Sequence, residues 1–390
     1  MKGLSARVGR VLPSETVRIS GLVAEKRRQG IDVVSFAAGE PDFPTPEHVR
    51  EAAKKALDEG KTRYVPAPGV PELREAVAKK HVEENGMAET RPEHVLVTPS
   101  KQAIAYAILA TVDHGDEVLL PDPCWVSYDP LVRLAGGTPV YVPLDAEDGF
   151  RMRPEPVAEH ITGKTKLVVM NSPSNPTGGM DLPADVRGVA ELVQDHGLYL
   201  LSDEIYEHVR YGGAEHLSPA SLPGMTDHTV TVNGLSKSFS MTGWRIGWAI
   251  ASGELMKAMG KLQSHTITHP TSFAQYGALA ALTGPKDFIA EMMVAFERRR
   301  RLVLDLLAEI PGVTCAEPRG AFYVFPDISG TGMDAMTFAE RLLEEGDVGV
   351  TPGPAFGPGG EGHVRISYAT SDERIREGLA RMKRFVSQAG

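Results

Sequence analysis

The spacing of apolar positions changes repeatedly along the chain, and each change predicts an element. Val17, Leu22 and Val23 lead into a charged end at Glu25, Lys26, Arg27 and Arg28, so a helix is expected over 16–28, with Ser14 as its cap and Gly30 as its stop. The run from Ile31 to Ala38 predicts a strand. Val49, Ala52, Ala53, Ala56 and Leu57 share one side of a helix over 46–59 that Gly60 closes, and a second helix over 72–84 ends at Asn85-Gly86. From His94 onward short apolar runs alternate with helical stretches. Strands are predicted over 94–98, 117–120, 138–142, 166–170, 199–202, 229–233 and 245–251, with helices such as 101–112 and 182–195 between most of them. Strands alternating with helices imply a mostly parallel sheet covered on both faces. Beyond 285 the pattern becomes α+β: helix 288–307, strand 320–325, helix 336–345, strand 363–368 and an amphipathic helix over 372–388. The reading is an α/β protein with a large domain over 45–285. A smaller α+β domain over 286–390 is joined by an N-terminal arm, 1–44.

Composition narrows the function. A chain of 390 residues, 42% hydrophobic and 24% charged, suits a globular protein of two or three domains. Its net charge of -10 argues against a general nucleic-acid binder. Cys124 and Cys315 form neither a disulfide framework nor a metal spacing and read as small buried hydrophobes. The opening residues lack the apolar core of a signal peptide, and no run is apolar enough to span a bilayer, so a cytoplasmic location is expected. The Arg298–Arg301 run reads as a solvated or salt-bridged helix face.

Candidate chemistry gathers where predicted strands end, which is where ligands bind on open α/β sheets. The β-branched run Thr229–Val232 stops at Asn233-Gly234, and Ser236, Lys237 and Ser238 follow, with Arg245 soon after. A lysine there can be kept from bulk water, its pKa can fall, and its amine can form a Schiff base. A nearby arginine offers a fork to a phosphate or carboxylate. Ser100 and Lys101 open a helix whose N-terminus could cradle a phosphate. Taken singly, the other candidates have plain readings. Gly39 is a turn glycine, Tyr64 a half-buried loop tyrosine and Trp125 a core or interface residue. Asn175 belongs to an Asn-Pro turn, and Arg365, inside an apolar strand, to a structural ion pair.

The lysine stretch changes that balance. Gly234, Leu235, Ser236, Lys237, Gly243, Arg245, Ile246 and Gly247 stand at the spacing of the pyridoxal-phosphate attachment signature, and the whole chain resembles the class I aminotransferases of fold type I. The similarity is nearest to the bacterial and archaeal aspartate aminotransferase branch. It implies pyridoxal 5′-phosphate bonded to Lys237, which also moves the proton during transamination. Ser100, Ser236 and Arg245 would hold the phosphate, helped by Tyr64 from the other subunit of a homodimer. Trp125 would stack on the ring, Asp203 would pair with the ring nitrogen, and Asn175 and Tyr206 would reach the phenolic oxygen. Arg365 would bind the substrate α-carboxylate beside Gly39. One branch of the family reads the distal carboxylate with an arginine that would fall in 261–273, where none stands, and the other carries a lysine after the phosphate turn, so the resemblance implies that Lys101 contacts the distal carboxylate of aspartate or glutamate. Leu12 replaces a lysine that helps some members with prephenate, and His265 and His269 depart from the expected pattern. No metal is implied. The rival readings are an aminotransferase of aromatic or broader specificity, a C–S β-lyase or decarboxylase, a non-catalytic cofactor-binding regulator, and a nicotinamide dehydrogenase. The last lacks its G-x-G-x-x-G turn.

Overall fold

The computed structural model describes residues 3, 5, 8–11 and 13–389; Leu12 lies outside the described residues. Its strands are β1 (Val34–Ser35), β2 (Val95–Thr98), β3 (Glu117–Asp122), β4 (Thr138–Pro143), β5 (Thr165–Asn171), β6 (Tyr199–Asp203), β7 (Thr229–Gly234), β8 (Gly247–Ile250), β9 (Tyr323–Val324), β10 (Val348–Gly349), β11 (Thr351–Pro352) and β12 (Val364–Ser367). Seven of them form the central sheet in the order β2-β8-β7-β6-β5-β3-β4. All neighbours pair in parallel except β8, which is antiparallel to both β2 and β7. The C-terminal ends of β2, β3, β5, β6 and β7 therefore share one rim with the start of β8.

Both faces of this sheet are covered, and the strand alternation divides them. Val118, Leu120, Leu167, Val169 and Leu201 pack with Ala103, Ile104 and Ile108 of the helix Ser100–Thr111. Leu119, Val168, Met170 and Leu200 pack on the other side with Val186, Val189 and Val193 of the helix Pro183–Asp195. Side chains that point alternately up and down explain why these strands are apolar nearly throughout. A third core joins β9, β10 and β12 to the helices Asp287–Leu307, Ala335–Gly346 and Asp372–Ala389. Among the described residues no helix is long and apolar enough to cross a membrane.

Several expectations need correction. Ser14 sits at the N-cap of the helix Glu15–Arg28, but its side chain makes no capping bond. The strand expected over 31–38 shrinks to β1, which pairs with β10. Ile31 is still tied to the helix end through Lys26 O, and Asp32 is claimed by Arg374 and Arg381. The strand expected over 320–325 shrinks to β9, because Ala321 adopts a left-handed φ of 54°. Arg245 does the same at 59°, so β8 begins only at Gly247. The arginine run is salt-bridged throughout, as expected, but it is not one solvated face. Arg298 and Arg301 are exposed, but Arg299 and Arg300 are buried. Arg299 forks onto Asp42 at 2.7 and 2.8 Å, and Arg300 pairs with Glu297 and Glu317. Cys124 is buried as expected, whereas Cys315 is only partly so.

Candidate active site

A cavity of about 1040 Å³ opens on the rim where the parallel strands end. Lys237 reaches it from just beyond β7. Its Nζ donates to Gly39 O at 2.6 Å and lies 5.8 and 5.9 Å from the ring centres of Tyr206 and Phe322. Burial lowers its pKa to about 8, against the pull of Glu40, and the nearby Arg365 and Arg245 reinforce the drop. That is the direction the sequence led us to expect.

Asp203 ends β6 in the same cavity. Its carboxylate accepts from Tyr128 Oη at 2.7 Å and from Ile205 N at 3.3 Å. Burial nevertheless raises its pKa to about 6. Asn171, at the end of β5, donates to Asp203 O at 3.0 Å and accepts from Asn175 N at 3.0 Å, lacing the two strand ends together.

Arg365 faces these groups from β12. Its Nη1 donates to Asn175 Oδ1 at 2.9 Å and its Nη2 to Ala37 O at 2.7 Å, while its buried Nε has no partner. The guanidinium lies 4.7 Å from the Tyr323 ring centre and 5.0 Å from that of Phe356. No carboxylate pairs with it among the described residues, so the structural ion pair is excluded. A buried cation with a spare donor is a receptor for an anion. Gly39 gains a physical reason here, because a Cβ on it would stand 2.7 Å from the Tyr323 hydroxyl.

The other end of the cavity is rich in donors. Ser100 opens the helix Ser100–Thr111, and its Oγ donates to Asn233 O at 3.0 Å. A Cβ on Gly234 would come within 2.7 Å of that Oγ, so the backbone approaches this turn closely. Ser236, Lys101 and Arg245 line the same end. Arg245 is exposed and uses Nη1 on Thr242 O at 2.9 Å. Lys101 Nζ sits 4.8 Å from the Trp125 ring centre, and its pKa is lowered by burial and then by Arg245. A helix N-terminus, hydroxyls and two cations suit a phosphate ester. An aromatic face, a lone carboxylate and a lysine amine complete what a pyridoxal ring needs. The residues present therefore fit pyridoxal phosphate.

Of the residues expected at the site, only Tyr64 lies outside the cavity. It is 88% exposed and meets His269 edge-on at 5.7 Å. Sequence reasoning gave no role to Tyr128, Asn171 or Tyr323. The Gly320–Tyr323 quartet marked the last region without singling out the tyrosine, and nothing in the chain flagged Tyr128.

Glu204, beside Asp203, belongs elsewhere. Its carboxylate accepts from Ser202 Oγ (2.9 Å) and Ser218 Oγ (2.7 Å) and meets His216 Nε2 at 3.1 Å. Glu207 pairs with buried Lys80 and accepts from Asn85 Nδ2 at 2.6 Å. Glu204, Glu207 and His216 come close enough together to suggest a metal site, but all three are already bonded.

Known proteins agree with this geometry. Residues 31–382 match the family model for aminotransferase class I and II. The chain is 46% identical to a probable aspartate/prephenate aminotransferase of Aquifex aeolicus, over 99% of both chains. It is 47% identical to the aspartate/prephenate aminotransferase of Thermus thermophilus, over 100% of both. A solved structure of the Thermus thermophilus aspartate aminotransferase with maleate superposes with a TM-score of 0.95 at 47% identity, covering 99% of this chain and 100% of that one. The chain therefore belongs to the class I and II aminotransferases, enzymes of fold type I that depend on pyridoxal 5′-phosphate.

Proposed function

We propose that this aminotransferase takes its amino group from L-aspartate and passes it to 2-oxoglutarate. The observation that carries the reading is Arg365: a buried guanidinium without an acidic partner among the described residues, facing the same cavity as the Lys237 amine and the Asp203 carboxylate. When bound, the cofactor supplies the aldehyde carbon that accepts the amino group and a ring that draws electrons from the substrate Cα. Ser100, Ser236 and Arg245 would hold its phosphate. Trp125 would lie on the ring, Asp203 would face the ring nitrogen, and Asn175 and Tyr206 would reach the phenolic oxygen.

Arg365 would orient the substrate by a bidentate hold on the α-carboxylate, and Gly39 leaves room beside it. With a pKa of about 8, the Lys237 amine carries a usable neutral fraction at neutral pH. It would take the proton from the substrate Cα and deliver it to the cofactor carbon that accepts the amino group. Hydrolysis by water would then release a 2-oxo acid and leave the amino group on the cofactor, and a second 2-oxo acid would take it up as the same residues run in reverse, giving ping-pong kinetics. Lys101, beside Trp125, would bind the distal carboxylate of aspartate or glutamate.

The same reading makes the enzyme a cytoplasmic homodimer in which Tyr64 serves the phosphate of a second copy. It treats 1–44 as an arm and part of the small domain, 45–285 as the cofactor domain and 286–390 as the rest of the small domain. The pairing of β1 with β10 supports joining the first segment to the last. A broader specificity is the second reading. Relatives named aspartate/prephenate aminotransferases favour it. A panel of amino acids with 2-oxoglutarate decides between them. Aspartate should give the highest kcat/KM. Preference for phenylalanine or tyrosine as donor, or for prephenate over 2-oxoglutarate as acceptor, would favour the second reading, and release of ammonia and pyruvate without any acceptor would replace both with a β-lyase.

A further inference from the structure

Tyr323 touches both halves of the site, and the mechanism above does not use it. It sits on β9 directly across from Ser367 on β12. Arg365 is two residues from Ser367 and so shares its face, which makes Tyr323 and Arg365 diagonal neighbours across the strands. The guanidinium accordingly rests over the Tyr323 ring. At the far end of that ring the Tyr323 hydroxyl meets the Tyr206 hydroxyl at 2.8 Å. Both tyrosines are buried, and for each hydroxyl this is the only hydrogen bond among the described residues.

Two hydroxyls sharing one hydrogen bond leave one proton uncommitted. If Tyr323 donates, the Tyr206 proton is free for the cavity, and its oxygen, already accepting, makes it a stronger donor. The charged groups around the pair are Arg365, Asp203, Lys237 and Glu40. None of them forms a hydrogen bond with either hydroxyl, so the tyrosines are each other's partners.

We propose that Tyr323 is a positioning residue with two separable duties: its hydroxyl sets the donor strength of Tyr206, and its ring sets the pose of Arg365. The inference rests on the proposed roles of Tyr206 and Arg365. Tyr323→Phe removes the hydroxyl and keeps the ring; Tyr323→Leu removes both. A weaker donor at Tyr206 leaves the cofactor's phenolic oxygen more basic, so its proton is held to higher pH.

The test is a pH titration of the visible absorbance of the holoenzyme, with maleate binding measured well below the midpoint. Tyr323→Phe should raise the midpoint by about half a pH unit or more and change the maleate Kd by less than about twofold. In a Tyr206→Phe background it should no longer move the midpoint. Tyr323→Leu should weaken maleate by about fivefold or more. The inference is overturned if Tyr323→Phe leaves the midpoint in place, if the shift persists without the Tyr206 hydroxyl, or if both variants bind maleate equally. Lower melting temperatures with an unchanged midpoint would show a merely structural role and overturn it too. A wild-type protein that takes up no cofactor would instead overturn the proposed function beneath it.

Discussion

Asp203 and Glu204 are consecutive, acidic and buried, yet they live in different surroundings. Asp203 points into the cavity and receives one hydroxyl and one long backbone bond. Glu204 points away and is met by two serine hydroxyls and His216, with Asn85 Nδ2 at 3.5 Å. The same contrast separates two buried cations. Lys80 is matched to Glu207 and Asn85, whereas Arg365 keeps an unpartnered Nε and meets no acid among the described residues. A buried charge that is fully bonded stabilises the scaffold, because losing one partner strands the others. A buried charge with bonding capacity left over costs stability until a ligand supplies the rest. The two clusters therefore answer differently to mutation.

The largest effect separates them by activity. Asp203→Asn should lower transamination by about 10² to 10³-fold, the usual scale for losing one aimed electrostatic group, without lowering the melting temperature of the cofactor-free protein. Steady-state rates and thermal melts check both halves. Glu204→Ala should do the reverse and cost about 3–5 kcal/mol in denaturant unfolding, since His216 and the two serines lose their acceptor. Equal destabilisation by the two variants would erase the distinction.

The contrast also has a pH signature. Burial holds Asp203 at about 6 in the folded chain, against about 3.9 in an unfolded one. Between roughly pH 4 and 6 the folded protein keeps a proton that the unfolded chain has released, so stability falls as pH rises through that window and then levels. Cofactor-free wild type should thus lose up to about 3 kcal/mol relative to Asp203→Asn across it. Asp181, held at about 7 by its own burial, is present in both proteins and cancels from the difference. Parallel stability curves would contradict the assignment.

How far the sequence led depends on where each residue sits. Lys237 was legible because it stands just past a buried apolar strand, and a strand end on an open α/β sheet is a defined place; Asp203 and Asn175 also lie near strand ends, but their roles were suggested only by the family resemblance that the lysine stretch carries. The central sheet was legible for the same reason, through its alternation with helices. Tyr323 and Tyr128 were not, because their partners are 117 and 75 residues away in sequence and depend on register and packing. The strands shortened around Ala321 and Arg245 fail for a local reason, since a left-handed φ at a non-glycine residue leaves no mark in an apolar pattern. The burial of Arg299 and Arg300 was hidden likewise. Only the fold brings Asp42 to Arg299, and Glu317 to Arg300.

A smaller effect sharpens the substrate side of the cavity. Lys101→Ala should lower the preference for aspartate over alanine by about 10 to 100-fold, the worth of one charge-assisted hydrogen bond, and leave the rate with alanine largely intact. The ratio of the two kcat/KM values measures it. An unchanged ratio would remove Lys101 from substrate recognition and leave it to the phosphate turn alone.

The most direct measurement concerns Lys237. Borohydride reduction of the protein loaded with pyridoxal phosphate, followed by peptide mapping, fixes the cofactor to whichever amine carries it. The pyridoxyl group is predicted on Lys237 and on no other lysine. Its appearance on Lys101 or elsewhere, or a protein that carries the cofactor yet yields no labelled lysine, would contradict the proposed site.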